Sequence, residues 1–529
     1  MEVSSFQFLL ISILFGFSTG FVPVYMVCYP LTPPLVLGYL IGLILGQPMQ
    51  GAVIGASITL VYMGTISVGG TQPANPMIGT VLGTTFALMN GLTYEAALAL
   101  AVPIGIVFAS LRVWGNTGAV FFAQGVSRSV HKRKLGAMWA WSWAGLLYKV
   151  LLYTVLMFVV LQFGITAASQ VLGNIPKWFN AGLNVAGNAL PAVGIALGLK
   201  YIADKGRIYF CMLTFILAAQ LRGLSTLVCV LVTLAVIVIL TYKKIENGEI
   251  DIKMTTASAK KHILSAKDAI FATFMIENIL EWVSNSAKKM GEGFLIGIAP
   301  TIKKLYPNDE ERQCEELEKH DAFLNSNMQF MGALAAPVVA MEEERAMGNP
   351  DITPETIASF KASLQGPIAA IGDPLAQGVL NTIIKSIGVS MVVAGSVGGV
   401  YFTFFGFMAL KIAAAIVLGY LGFKYGSSIV EKFYSGGAAK YFTEMAGVIG
   451  CVAFGALGAA TIRLGVGKLE VVGVALQTTL FDAILPGILP IALLFICYKL
   501  LKSKKVGAIS LMAIVFFGTF ILGALGILQ

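Results

Sequence analysis

Charged residues are scarce in this chain of 529 residues, since Asp, Glu, Lys and Arg together make up only 12% of it. Soluble proteins carry roughly 25% charged residues. The shortage excludes an ordinary soluble enzyme and a disordered chain, and the 57% share of hydrophobic residues indicates a membrane protein. The 58 glycines and 19 prolines are spread through apolar stretches, which is typical of closely packed membrane helices.

Acidic residues are almost missing from the first half, where residues 1–242 contain only Glu2, Glu95 and Asp204 against eleven basic residues. The whole chain carries a net charge of +9, from 36 basic and 27 acidic residues. The basic residues do not form a stripe interleaved with aromatic residues, so nucleic-acid binding has no support. The excess fits cytoplasmic loops that face anionic lipid.

Signatures of metal, nucleotide and nucleophilic chemistry are also lacking. The six cysteines are far apart without a C-x-x-C pair, so we interpret them as small buried apolar residues. His131, His262 and His320 lie in charged, loop-like contexts, and none has a partner at metal-ligand spacing. No phosphate-binding loop is present, so the sequence predicts no cofactor and gives no support to ATP-driven transport.

Long apolar stretches are abundant, and a membrane-spanning helix needs about 20 mostly apolar residues. The first stretch lacks a basic start and a cleavage site, so we expect a retained helix rather than a signal peptide. Basic clusters at 127–134, 243–244 and 499–505 are expected in the cytoplasm, which places the C-terminus on the far side. The apolar stretches are 6–28, 31–47, 51–66, 76–90, 93–111, 136–163, 180–199, 223–241, 384–400, 401–423, 445–461, 484–501 and 507–528.

A polar stretch near the middle of the chain separates two apolar regions and marks a predicted linker. The sequence therefore predicts an all-α polytopic membrane protein with two related helical domains that contain broken or re-entrant helices. The predicted divisions are a membrane domain at 1–242, a polar linker at 243–268 and a second domain at 269–529. Within the second domain, 269–357 is expected to be amphipathic and cytoplasmic, and 358–529 to span the membrane.

Polar residues of the first half concentrate in Met63–Thr80, where several glycines and prolines make a continuous helix unfavourable. Irregular backbone at membrane depth is tolerated where it is buried in protein or lines a watery cavity. Neutral donors and acceptors on such a segment suit a polyhydroxyl solute better than an ion. A connecting loop at the surface is the alternative. The polar side chains are Thr65, Ser67, Thr71, Gln72 and Asn75.

A matching feature of the second half is Leu364–Gly378, in which Asp373 lies between Gly372 and Pro374. An acidic residue beside a helix break in a membrane domain indicates a functional site. The alternative interpretation is an N-cap for the helix that follows, and one residue can do both.

Other polar groups of the second half have plainer interpretations. Asn285, Lys288 and Lys289 form a short polar group whose alternative interpretation is a solvated helix face. The acidic run Glu342–Glu344 is expected to be surface charge, because unpaired carboxylates are rarely buried.

Four strings of the second half point to a known family. They are APTIKKLYP at 299–307, HDAFLNSN at 320–327, AAPVVAMEEERAMG at 335–348 and GPIAAIGDPLAQG at 366–378. With these strings, the chain from about Asp268 to its end resembles the IID membrane component of the mannose-type bacterial sugar phosphotransferase system.

The first 242 residues resemble the partner IIC component of the same system. The resemblance is carried by the opening MEVSSFQ, by PLVLGYLIGLILGQPMQGAVIGA at 34–56 and by GGTQPANP at 69–76. The two components are usually separate chains, whereas here residues 243–268 join them.

The resemblance implies a sugar permease of the bacterial cytoplasmic membrane, which passes a hexose or amino sugar to a separate cytoplasmic IIB protein. The IIB protein, phosphorylated on histidine, then phosphorylates the sugar. No histidine of this chain resembles a phospho-acceptor, so it is expected to be a transport subunit, and whether it counts as an enzyme stays open. A homotrimer embedded in membrane lipid is also implied. The substrate-binding residues carried over are Ser67, Gln72, Asn75, Asn285, Lys288, Asn325 and Asp373.

The sugar itself is not fixed by the resemblance. Mannose-type relatives often carry Glu, Asn and Asp at the positions of Thr59, Ser67 and Asn75, and all three differ here. The GGxQPxNP pattern is more similar to the N-acetylgalactosamine type, which favours the amino-sugar branch over mannose.

Two other function classes stay open at this point. An ion-coupled secondary transporter needs a membrane-buried ionisable group, for which Asp373, Glu444 and Asp482 are available. A membrane receptor without transport is the third possibility. If the family resemblance holds, charge and sidedness suggest that Lys132–Lys134 or the segment 301–322 docks the IIB protein.

Overall fold

The computed structural model describes most of the chain, in ranges separated by gaps. Within them the fold is helical, apart from an antiparallel pair of two-residue strands, β1 (Glu470–Val471) and β2 (Val474–Ala475), in which Val471 faces Val474. The all-α prediction is therefore confirmed for the chain as described. The described residues are 3–20, 28–63, 75–91, 97, 101, 111–165, 177–203, 206–221, 226–247, 262–425, 438–467, 470–471, 474–475, 477, 486–503 and 506–529.

The described part of the first half forms nine α-helices. Three of them begin at a proline, since the first residue of a helix has no helical partner for its N–H group. A short 3₁₀ turn at Tyr29–Leu31 precedes the second helix, and a π-helical turn at Val160–Ile165 ends the sixth. The helices are α1 (Ser5–Gly20), α2 (Pro34–Ile44), α3 (Pro48–Tyr62), α4 (Pro76–Asn90), α5 (Leu111–His131), α6 (Leu135–Val159), α7 (Lys177–Ile202), α8 (Ile208–Gln220) and α9 (Thr226–Glu246).

The described part of the second half forms ten more α-helices, and a π-helical stretch at Asp373–Leu380 joins two of them. The first four, α10 to α13, are short, and three of the last six have 19 residues or more. They are α10 (Ala266–Ile279), α11 (Gly291–Leu305), α12 (Glu310–Glu318), α13 (Gly332–Ala346), α14 (Pro354–Gly372), α15 (Asn381–Val393), α16 (Gly398–Tyr425), α17 (Ala438–Thr461), α18 (Ile488–Lys502) and α19 (Ala508–Ala524).

Four described helical stretches are long and apolar enough to cross a membrane, namely Leu135–Gly164, Ala181–Lys200, Leu375–Val393 and Gly398–Tyr425. The Ala181–Lys200 stretch is 89% buried inside the protein, whereas Gly398–Tyr425 is only 22% buried. We conclude that α7 lies at the centre, while α16 exposes an apolar face of the kind that lipid covers.

The central helix α7 packs against α18 and α19 of the second half and α3 of the first. Gly194 of α7 lies so close to the backbone of Leu60 and Val61 that a Cβ atom would collide with it. Gly198 lies against the ring of Phe454 in α17 in the same way. The two halves therefore share one apolar core. All six cysteines are buried and free, as the sequence predicts.

The predicted linker at 243–268 overlaps the ends of both helices that flank it. α9 continues to Glu246, and α10 begins at Ala266 after a capping box. In that box the Ser265 hydroxyl accepts the Asp268 N–H at 3.3 Å, and the Asp268 carboxylate accepts the Ser265 N–H at 2.8 Å. Lys304, 2.6 Å away, and Ser265 lower the pKa of Asp268 to about 2.

The segment Leu364–Gly378 does not break its helix, which corrects the sequence prediction. α14 passes into the π-helical stretch and then into α15 without interruption. Asp373 has helical backbone angles, φ −63° and ψ −50°, so the N-cap interpretation is wrong. The next residue, Pro374, has no N–H to donate to the preceding turn, and the wider π-helical turn accommodates this loss.

Candidate functional site

Asp373 lies where α14 meets the π-helical stretch, and it is half-buried. Its carboxylate oxygen Oδ1 accepts a hydrogen bond from Asn327 Nδ2 at 2.7 Å. The other end of the Asn327 amide accepts the N–H groups of Gln329 and Phe330, both at 2.9 Å, and so fixes the turn before α13. Gly372 permits this contact, since a Cβ there would lie 2.6 Å from the Asn327 Cβ.

A row of hydrogen bonds continues from this turn to the first half of the chain. Gln329 Nε2 donates to Asn381 Oδ1 at 2.9 Å, and Asn381 Nδ2 donates to the Tyr29 hydroxyl at 2.9 Å. Gln329 and Asn381 are only 5% and 1% exposed. We call Tyr29, Asn327, Gln329, Asp373 and Asn381 the junction cluster, because it links the two halves through buried polar side chains.

Sequence reasoning finds only Asp373 of this cluster as a site residue. Asn327 and Gln329 lie within or just after the HDAFLNSN string, and Asn381 is the third residue after the GPIAAIGDPLAQG string. A lone Asn within an apolar run is the signal that indicates Asn381, since an amide at membrane depth needs a partner. Nothing in the sequence pairs it with Tyr29.

The predicted polar segment of the first half begins next to this cluster. Met63 is the last described residue before it, and the Ser386 hydroxyl of α15 lies 3.5 Å from the Met63 sulfur. Ser386 is five positions beyond Asn381 on the same helix. Ser67 and Gln72, together with Thr65 and Thr71, lie outside the described residues.

Asn75 is the N-cap of α4 and is 3% exposed. Its Oδ1 accepts the Ile78 N–H at 3.2 Å, so the side chain holds the start of this helix. Thr59, in α3, donates to the Gly55 carbonyl oxygen at 2.8 Å and accepts the Leu35 N–H at 2.9 Å. Thr59 therefore serves the packing of α2 on α3.

Asn285 is not on a helix face, which corrects the solvated-helix interpretation. It is 1% exposed and lies in the turn between α10 and α11. Its Oδ1 accepts the N–H groups of Ala287 and Lys288 at 2.8 and 3.0 Å. Its Nδ2 donates to the Val283 carbonyl oxygen at 3.0 Å and to Glu292 at 3.1 Å. Its hydrogen-bonding groups are thus engaged in shaping the turn.

Lys288 and Asn325 lie on either side of the loop that leads to Asn327. The Lys288 ammonium group donates to Asp321 Oδ1 at 2.7 Å, which also accepts from the Ser127 hydroxyl of α5 at 3.0 Å. Asn325 donates its backbone N–H to Gln365 Oε1 at 3.0 Å. Among the described site residues, Asn325 lies in the loop that Asp373 contacts through Asn327, while Lys288 faces the first half.

Ion pairs connect the end of α5 with the segment around α12. Arg133 lies 2.7 Å from Glu318, and His131 also contacts Glu318. Partial burial opposes ionisation of Glu318, but His131 and Arg133 outweigh it and lower the pKa of this carboxyl group. We call these residues, with Asp321 and Lys288, the interhalf clasp.

A buried triad of ionisable side chains, Lys361, His320 and Glu342, corrects the surface-charge prediction for part of Glu342–Glu344. Lys361 Nζ is 3.2 Å from His320 Nδ1, and His320 Nε2 is 3.0 Å from Glu342 Oε1. Glu342 and Glu343 are 1% and 3% exposed. Burial lowers the pKa of Lys361 to about 8, and burial together with the Lys361 charge lowers the pKa of His320.

Glu343 is the second buried carboxylate of that run, and it holds the start of the second half. It accepts the Leu264 N–H at 2.6 Å and lies 3.0 Å from His262. Within the described ranges, no group of three or more His, Cys, Asp or Glu side chains is arranged to hold a metal ion.

Apolar helices around a buried polar junction define a multi-pass helical membrane protein. Two family models match nearly the whole chain: residues 5–240 match the "PTS system sorbose-specific iic component" and residues 264–528 match the "PTS system mannose/fructose/sorbose family IID component". The chain belongs to the mannose/fructose/sorbose family of the phosphotransferase system, with the IIC and IID components in one polypeptide.

Individual relatives agree with both matches. The sorbose-specific EIID component of Lacticaseibacillus casei is 35% identical over 271 residues, covering 50% of this chain and 94% of that protein. A putative N-acetylgalactosamine permease IIC component 2 of Escherichia coli K12 is 42% identical over 73 residues, covering 14% of this chain and 55% of that protein.

Solved structures are also similar to part of this chain. A chain of the mannose transporter ManYZ, in complex with microcin E492, is 26% identical and covers 50% of this chain and 97% of its own, with a TM-score of 0.29. From the family match, the protein is a multi-pass sugar permease of the phosphotransferase system in the bacterial cytoplasmic membrane. The predicted family and function class are confirmed, and nothing favours ion coupling.

Proposed function

We propose that this permease carries a hexose or an amino sugar past the junction cluster and presents it to a separate, phosphorylated IIB protein in the cytoplasm. The observation that carries the proposal is the row of hydrogen-bonded side chains from Tyr29 to Asp373, which crosses between the halves in an apolar protein. Uncharged amides and a hydroxyl, with one carboxylate, match the hydroxyl groups of a sugar.

In this proposal the sugar binds between the two halves of the chain and contacts residues of both halves. Ser67, Gln72 and Asn75 are the proposed contacts from the first half, and the closeness of Met63 to Ser386 supports this. Asp373 is the proposed acceptor from the second half. The remaining predicted contacts, Asn285, Lys288 and Asn325, fit a role in holding the loop that carries Asn327, and a direct contact with the sugar stays a prediction for them.

An amino sugar is the first substrate to test. Support comes from the GGTQPANP string at 69–76 and from the relative whose name assigns N-acetylgalactosamine. Mannose, fructose and sorbose, which the matched family names, complete the panel.

The cytoplasmic side offers one continuous surface for the IIB protein. The two candidate docking segments, Lys132–Lys134 and 301–322, lie side by side, because Arg133 pairs with Glu318. Lys132 and Lys134 are exposed on either side of that pair. We therefore propose that these two lysines are presented to an acidic patch of the IIB protein.

Assembly as a homotrimer surrounded by lipid is the remaining part of the proposal. Its support is the exposed apolar face of α16, where Phe405 and Ile416 are 53% and 47% exposed. Native mass spectrometry of the chain released from nanodiscs should show three copies, and a monomer under the same conditions would contradict the trimer.

The decisive experiment is uptake of labelled sugar by cells that express the full chain, with and without the phosphorylated IIB protein. We expect labelled sugar phosphate inside only when the phosphorylated partner is present. Accumulation of unmodified sugar without the partner, driven by an ion gradient, would contradict the proposal and restore the ion-coupled alternative.

A further inference from the structure

The Gln329 side chain leaves one polar atom without a partner. Its Nε2 donates to Asn381, and its Oε1 is buried and accepts no hydrogen bond from any described residue. Gln329 is 5% exposed, so bulk water does not solvate this oxygen. A buried amide oxygen that lacks a donor costs free energy comparable to a lost hydrogen bond, and proteins keep few such atoms without a reason.

The neighbouring side-chain amides donate to other acceptors. Asn381 Nδ2 donates to Tyr29, and Asn327 Nδ2 donates to Asp373. If the side-chain amides of Gln329 and Asn381 are both rotated by 180°, Gln329 Nε2 takes the position of Oε1 and becomes the atom without a partner. In either arrangement one atom of the Gln329 amide is open, and a sugar hydroxyl can satisfy both arrangements because it both donates and accepts.

The position of this atom favours a transported ligand. Gln329 lies two residues from Asn327, which holds Asp373, and its amide is held by Asn381, which reaches the first half through Tyr29. Asn381 also lies on the helix whose Ser386 contacts Met63. The open atom is therefore separated from Tyr29 of the first half by a single side chain, that of Asn381.

We infer that Gln329 is a specificity-determining residue that hydrogen-bonds one hydroxyl of the transported sugar, and that Asn381 and Tyr29 hold its amide in position. The inference rests on the proposed function and deepens it, since it assigns a contact outside the residues that the motifs single out. A site built to hydrogen-bond a hydroxyl rejects the analogue that lacks it.

The first test is equilibrium binding of N-acetyl-D-galactosamine, mannose, fructose and sorbose to the purified full-length protein. The tightest binder is then titrated into the Gln329→Leu variant, in which we expect the Kd to rise about tenfold or more. The melting temperature of the sugar-free variant should fall slightly, because the substitution also leaves the buried Asn381 Oδ1 without its donor, a loss that the control variant below reproduces at another buried glutamine. Gln329→Met, with an unbranched side chain, serves if the leucine variant does not fold.

Gln313→Leu is the matched control. Gln313 is also a buried glutamine, 4% exposed, but it lies in α12, and its Nε2 donates to the Tyr306 carbonyl oxygen at 2.7 Å rather than to a residue of the junction cluster. Its substitution should leave the Kd of the sugar unchanged. An equal loss of affinity in both variants would overturn the inference, because it would reflect a general disturbance.

The second test uses monodeoxy analogues of the same sugar in a double-mutant cycle. One analogue should bind the wild type about tenfold more weakly, and Gln329→Leu should weaken it no further. Additive losses for every analogue, or an unchanged Kd in the variant, would overturn the inference and indicate that an ordered water satisfies Gln329. If the wild type binds none of the four sugars, the proposed function fails and the inference fails with it.

Discussion

At the scale of single residues, Asn75 combines a structural and a proposed binding role. Its Oδ1 is engaged in the N-cap of α4, so only its Nδ2 group is offered to a sugar. This division allows the two roles to be separated, since Asp caps a helix as well as Asn does but has no Nδ2 donor.

We expect Asn75→Asp to retain stability and to weaken sugar binding by about 1 kcal/mol, the contribution of one hydrogen bond. Asn75→Ala should lose the cap as well and unfold about 1 kcal/mol more easily. Thermal unfolding in detergent and equilibrium sugar binding check the two effects. Wild-type affinity in Asn75→Asp would remove Asn75 from the proposed site.

Asp373 also has two functions that substitution can separate. Asp373→Ala leaves the Asn327 amide without its acceptor, which should cost about 1–3 kcal/mol of stability. Asp373→Asn keeps an oxygen for Asn327 and removes only the charge. We expect both variants to reach the membrane and to abolish uptake, and only the alanine variant to melt at a lower temperature. Uptake at the wild-type rate in Asp373→Asn would show that the charge is dispensable.

At the scale of elements, the His320 triad fixes the end of α12 against α13 and α14. His320 bridges Glu342 of α13 and Lys361 of α14, and it is 1% exposed. Burial and the Lys361 charge lower the pKa of His320 from its ordinary value of 6.5, so the folded protein holds this imidazole neutral. An unfolded chain binds the proton at the ordinary pKa.

This difference makes stability depend on pH. The stabilisation is complete above pH 6.5 and is lost as the pH falls below it, because the unfolded state then binds more protons. We expect the melting temperature to fall between about pH 7 and 5.5, and His320→Gln to fall less over that range. Parallel curves for the two proteins would contradict the assignment, since the other two histidines are present in both.

At the scale of the whole molecule, the interhalf clasp bears on where the IIB protein docks. Reversing Lys132 and Lys134 to Glu leaves the Arg133–Glu318 pair intact. If these lysines face an acidic patch, the double reversal should weaken binding of the IIB protein about tenfold at low salt, and less at high salt. Sugar binding should not change. Unaltered uptake that depends on the IIB protein would exclude this surface.

The Arg133–Glu318 pair provides the control variant for this experiment. Arg133 and Glu318 are each about one third exposed, so exchanging their charges as a pair should change stability by less than about 1 kcal/mol. A loss of IIB binding in that exchanged pair, with Lys132 and Lys134 unchanged, would point to the clasp rather than the lysines.

Hydropathy and short motifs in the sequence determine much of this protein. They predict the helical membrane class, the family and the importance of Asp373, because these depend on local composition and on strings of adjacent residues. Most of the predicted apolar stretches coincide with helices, and in the described part of the first half α5 and α8 fall outside them. α5 is missed because it combines polar residues with an apolar face that packs on α6.

The pairing of distant polar side chains is determined only by the tertiary structure. Asn381 and Tyr29 are 352 positions apart, and no local pattern pairs them. The helix continues through Pro374 because the wider π-helical turn accommodates the missing donor. Glu342 is buried because His320, 22 positions away, lies 3.0 Å from its carboxylate. The sequence by itself sets which segments avoid water. Which polar side chains meet inside depends on packing, since a hydrogen bond requires atoms within about 3 Å of each other.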